Sequence, residues 1–392
     1  MHVIITHARQ TTNVSIFVFF AVCVLVHIMP PIYSVLSPSI YNAHPFEGTL
    51  VYNNEYESNT TYIVNAQTLD RDMRRKLTAS SGNKMIAQRL CSGERFIVGR
   101  GGDAELLIVE DLLNQVVPRA RQWPRRHSGI YPETTEGLQA FGEAYYNAMR
   151  SLRAPDLFAF FLHRADVEGT VLPQTLEKSV AMIQEDALSP FWFDSPWSAC
   201  LRNKVVLVVH PFVDSIKCQL RRRTEIFPSA PDILPPFEVK FVKSFQVIGE
   251  EPLPHHDWGE TLQATKRLID SVGHFDVALI AAGSYGLPIA VYCKYAKNAS
   301  AVVAGGTLQQ LFGIRGMRWE TRHPTGYKYP VPTHSATNPI MYNKAWMFPL
   351  KSDSVSRAEK IEHGSPYLGL PQQTLDVCPV RQHVKLESRN KP

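Results

Sequence analysis

Residues 276–319 read DVALIAAGSYGLPIAVYCKYAKNASAVVAGGTLQQLFGIRGMRW, and the fold is decided here. An apolar run at 277–282 ends in Gly283-Ser284-Tyr285-Gly286. A helical stretch follows, and a second apolar run at 301–304 ends in Gly305-Gly306. Two short apolar runs, each closed by glycine and joined by a helix, predict buried parallel strands with a crossover helix between them. In open sheets of this kind ligands lie beyond the carboxyl ends of the strands, where glycine lets backbone amides approach phosphates. Gly283, Ser284, Gly305 and Gly306 are therefore candidate ligand-binding positions. The G-x-G-x-x-G fingerprint is absent, which disfavours a dinucleotide oxidoreductase. An A-G-S-Y-G turn is not a G-x-S-x-G nucleophile elbow either.

Outward from this unit, apolar runs predict strands at 95–99, 157–162, 204–209 and 237–245. Helical spacing marks 85–90, 105–117, 135–152, 175–188, 215–223 and 259–272. The alternation predicts an α/β domain with a Rossmann-like, doubly wound, mostly parallel sheet over residues 83–370. Residues 371–392 are polar and basic and are expected to form a disordered tail.

Residues 14–29 are almost uninterrupted apolar sequence. Sixteen residues rise only ~24 Å as a helix against a hydrocarbon core of ~30 Å, so a transmembrane signal anchor needs 14–36. Arg9 and the lack of acids in the tail 1–13 favour an inside amino terminus. A cleaved signal peptide is the main alternative and a cytosolic apolar helix a further one. With a polar stem at 37–82, the expectation is a single-pass type II protein facing the lumen of the Golgi or endoplasmic reticulum. Sequons at Asn59 and Asn298 fit that exposure.

The chain has 392 residues, is 44% hydrophobic and carries a formal charge of +5, with no basic stripe of the kind nucleic acid requires. Arg221-Arg222-Arg223 reads as a solvated helix face. Six cysteines without a C-x-x-C pair exclude a dense disulfide framework and disfavour zinc; one or two disulfides remain open.

Three clusters carry chemistry. Arg100-Gly101-Gly102-Asp103-Ala104-Glu105 ends the first strand, and two carboxylates there could share a hard divalent cation. Asp103 is equally a good helix N-cap, and Glu105 suits the helix dipole. His210-Pro211-Phe212-Val213-Asp214-Ser215 ends another strand: His210 and Asp214 could act as base and orienter, and Ser215 could cap a phosphate or simply its own helix. Arg315, Arg318 and Trp319 follow the second glycine corner, with guanidiniums suited to phosphate oxygens.

Together, RGGDAE at 100–105, PWSACLRNKVVLVVHPFVDSI at 196–216, FDVALIAAGSYGLP at 275–288 and LFGIRGMRW at 311–319 resemble a family related to the GT-D-fold glycosyltransferases. Residues 342–346 and 362–364 extend the likeness. The resemblance implies a Rossmann-like sheet that binds a nucleotide-sugar donor, most simply a UDP-sugar. Asp103 and Glu105 would hold Mn²⁺ or Mg²⁺ against its diphosphate. Arg100, Arg315 and Arg318 would balance phosphate charge, and His210 or Asp214 would be the base if the anomeric centre inverts. The acceptor would be a glycan or glycoconjugate. Ala104 stands where characterised members carry glycine, so a left-handed backbone there would be strained. A non-catalytic carbohydrate- or nucleotide-binding protein on the same fold is the alternative.

Overall fold

Among the described residues, short apolar runs pair side by side into one sheet of seven strands: β1 (Ile97–Arg100), β2 (Leu157–Phe160), β3 (Ala181–Gln184), β4 (Val205–His210), β5 (Glu238–Lys243), β6 (Val277–Ile280) and β7 (Ser300–Val303). Their order is β3-β2-β1-β7-β6-β4-β5, and every pairing is parallel. The computed structural model describes residues 64–118, 128–162, 164–245, 247, 252–316, 341, 343–353 and 378. The expected tail 1–13, anchor 14–36 and the stem as far as residue 63 lie outside the described residues, as does 371–392 apart from Cys378. No helix among the described residues is long and apolar enough to cross a membrane.

The helices are α1 (Arg71–Lys76), α2 (Ala79–Ser92), α3 (Asp103–Leu113), α4 (Thr135–Arg150), α5 (Ala165–Thr175), α6 (Val213–Leu220), α7 (Arg223–Ile226), α8 (Trp258–Ser271), α9 (Gly286–Lys297) and α10 (Gly306–Leu311). They cover both faces of the sheet. Ile97, Phe158, Ala278 and Val303 point into the core shared with α3, α4, α5, α8 and α9. Their neighbours Val98, Leu157, Leu279 and Val302 point into the core shared with α2, α6 and α10, where Trp197 is fully buried. Alternate residues thus feed opposite layers, as the period of a strand requires. The doubly wound α/β reading holds.

Two expectations are corrected. Residues 175–188 were expected to be a helix, but they contain β3, and the helix lies upstream as α5. Leu, Glu, Lys, Met and Gln favour helix locally. The pairing of Leu157 to Phe160 with Ala181 to Gln184, all four of the latter buried, overrides that preference. The folded body also starts upstream of residue 83. Val64, Ala66, Leu69 and Leu77 are buried in the core of the first face, the Val64 carbonyl accepts the Met182 amide at 2.7 Å, and α2 runs through residues 82 and 83. Asp70 and Thr78 cap α1 and α2 by accepting the amides of Met73 and Ser81.

The helix after β1 lies on one face and the helix after β7 on the other. Adjacent strands whose connections part in this way open a crevice at their carboxyl ends.

Candidate functional site

The β1 end of this crevice is built around a short turn. Gly102 is the N-cap of α3, so Asp103 and Glu105 occupy its first and third positions rather than a loop. Positions two apart on a helix point about 200° away from each other. Accordingly, the Asp103 carboxylate forms an ion pair with Arg164 in the loop after β2. Glu105 turns inward instead: it is 5% exposed, accepts the Ser128 hydroxyl at 3.2 Å, and folds over Gly102, where a Cβ would stand 2.5 Å from its Oε2. Burial raises the Glu105 carboxyl above its ordinary value, and its own amide, Ser128 and the Arg100 charge only partly oppose this. Ala104 sits in regular helix, so the strain expected there does not arise. The donor chemistry suits a hard cation; in this structure the two carboxylates take separate partners, so an ion shared between them would have to replace Arg164 at Asp103.

Arg100 ends β1 with its side chain mostly covered. Its guanidinium pairs with Glu185 at 2.7 Å, just past β3, and lies 4.9 Å over the Phe161 ring at the end of β2. On β7, Gly305 has φ +56° and ψ −137°, and a Cβ there would stand 2.9 Å from Arg100 Nη1. Only glycine reaches that backbone conformation cheaply while leaving room for the guanidinium. Tyr145 fixes the strand end by donating to the Arg100 carbonyl at 3.0 Å. Gly283, also at positive φ, passes under Ser128, whose carbonyl would lie 3.1 Å from an added Cβ. Arg100, Glu105, Gly283 and Gly305 are thus gathered, with Gly306 opening α10 beside them.

Other expected residues take structural parts. The Ser284 hydroxyl is fully buried and accepts the Trp258 indole N–H at 2.9 Å. Arg315 lies 4.8 Å over the Phe348 ring, while Arg318 is outside the described residues. His210 is buried and its Nδ1 accepts the Phe212 amide at 2.8 Å, which places the proton of the neutral ring on Nε2. Asp214 faces Lys243 at 3.3 Å. The phosphate-capping position at Ser215 is filled by the chain itself: buried Asp353 accepts the Ser215 amide at 2.6 Å, its hydroxyl at 2.7 Å and Lys243 Nζ at 2.8 Å. Burial alone would lower the Lys243 ammonium; its bonds to Asp353 and Asp214 outweigh this and hold it above its ordinary value. Asp353→Asn is expected to cost about 1–2 kcal/mol, because an amide cannot accept all these donors. Urea unfolding would check it.

Among the described residues, the one group of three metal-type side chains is His256, Asp257 and Glu260. It serves the start of α8: Asp257 accepts the Glu260 amide at 2.8 Å and Glu260 accepts the His256 amide at 3.0 Å. No protein-family model, curated protein or solved structure matches this chain.

Proposed function

We propose that this chain binds a nucleotide sugar, most simply a UDP-sugar, in the β1/β7 crevice and transfers its glycosyl group to a glycan or glycoconjugate. One observation carries the reading. The Arg100 guanidinium is held at the carboxyl ends of the strands between an aromatic ring and a bare glycine backbone. A guanidinium presents paired donors to phosphate oxygens. When the glycosyl bond breaks, charge builds on the leaving diphosphate, and a fixed cation in a half-dry crevice stabilises it without reorganising. The likeness of residues 100–105, 275–288 and 311–319 to the GT-D-related family supports the same donor class. Two disulfides, Cys91–Cys200 and Cys218–Cys378, support an oxidising, lumenal setting, and Asn298 is exposed beyond α9.

Calorimetric titration with UDP and UDP-sugars, followed by a donor-hydrolysis assay, tests the proposal. Arg100→Leu is expected to weaken UDP binding at least about tenfold, the loss of one charge-assisted contact. Unchanged affinity would move the site away from Arg100. A second reading, a nucleotide- or carbohydrate-binding protein without turnover, is favoured by one fact: the groups read as base and orienter, His210 and Asp214, are engaged by Phe212 and Lys243. Binding with no donor hydrolysis under any acceptor would select it.

A further inference from the structure

We infer that the acids at the crevice mouth are internal counter-ions, holding two arginines for a diphosphate that binds without a metal ion. This rests on the diphosphate reading above and departs from the metal role that the resemblance implies. Two ion pairs join the loops at the strand ends: Arg100 with Glu185, and Arg164 with Asp103. The Phe161 ring under Arg100 and the Arg164 that pairs with Asp103 belong to one short turn, in which the Arg164 amide donates to the Phe161 carbonyl at 3.3 Å. Asp103 and Arg100 are likewise three residues apart in the turn that starts α3. The four groups sum to zero charge, two guanidiniums against two carboxylates.

All four side chains are only partly exposed, between 20% and 40%. They are reachable from the crevice but sheltered enough for pairing to matter. Arg164 also carries a buried Nε that no group among the described residues satisfies, so its fork is half used. A bound diphosphate supplies oxygens to both forks and takes the place of the carboxylates, which turn to solvent. The carboxylates are then competitors of the ligand. Neutralising one of them should strengthen anion binding, whereas a metal ligand in the same position would weaken it when neutralised.

The sign of that change is the test. Full-length wild-type chain, Asp103→Asn and Glu185→Gln are titrated with UDP and with inorganic pyrophosphate, in EDTA and in Mn²⁺. The expected result is measurable binding in EDTA, tightened roughly fivefold in either variant, the strength of a half-exposed ion pair. Circular dichroism and melting of each variant confirm that both fold. Binding that needs Mn²⁺ and is lost in Asp103→Asn overturns the inference but leaves the diphosphate reading standing. If folded wild type binds neither probe under either condition, both fall.

Discussion

Replacing Arg74 with methionine is expected to lower the unfolding free energy by about 3–5 kcal/mol at pH 8, the cost of stranding one member of a buried ion pair. Arg74 Nη1 donates to Glu168 Oε2 at 2.5 Å and to the Phe161 carbonyl at 3.1 Å, and the guanidinium lies over Phe160. Both partners are almost wholly buried. The pair locks α1 against the end of β2, so its loss should free the amino-terminal edge of the fold first.

The deficit should depend on pH in a definite direction. Burial pushes the Glu168 carboxyl from 4.5 up to about 7, ahead of the opposing bonds from Arg74 and the Phe161 amide. The folded chain then holds this proton more tightly than the unfolded chain. Its stabilising contribution is complete below about 4.5 and is lost as pH rises through 7, amounting to about 3 kcal/mol. Removing Arg74 takes away a lowering influence, so the variant should lose more at pH 8 than at pH 5. Urea unfolding at the two pH values checks this, and equal losses would show that Arg74 acts only through packing.

The second large effect is expected at Gly305. Alanine there must adopt φ +56° and ψ −137° and place a Cβ 2.9 Å from the Arg100 guanidinium. A backbone strain of about 1–3 kcal/mol should appear as a lower melting temperature. The displaced guanidinium should also cost at least about tenfold in UDP affinity, a contact of about 1.4 kcal/mol. Melting and calorimetry on the same sample separate the two losses. A destabilised variant with intact affinity would mean that the corner is built for packing alone.

What could be read from sequence follows the range of the interactions. The 277–306 unit was legible because its information is local: apolar runs of strand length, glycine at each end, and a crossover between. The helix α5 was not, since Gly169 and Pro173 disguise it and Pro173 sits in its last turn. Nor was β3, whose identity comes from burial beside β2. The same division runs through the site. Arg100, Gly283 and Gly305 follow from their places at strand ends. Glu185 and Arg164 were missed because they meet Arg100 and Asp103 across 85 and 61 residues, with no motif of their own. Of the two readings of Asp103, cation ligand or helix cap, the cap falls instead to Gly102, which has no side chain to announce it. The cap of α6 came from Asp353, 138 residues beyond Ser215, which no local pattern announces.

The order of the bridged cysteines has a consequence for synthesis. Cys91 pairs with Cys200 and Cys218 with Cys378, so the two loops follow one another along the chain and do not interleave. Of the four bridged cysteines, Cys91 and Cys200 are both made before Cys218, so among these four the order of synthesis favours the correct first bond. Cys218 then waits while 159 further residues are made, and Cys293 passes it on the way. Once α9 docks, Cys293 is fully enclosed and its thiol is pushed up to about 12, leaving almost no thiolate to compete. Docking of α9 thus takes Cys293 out of competition for Cys218 and Cys378.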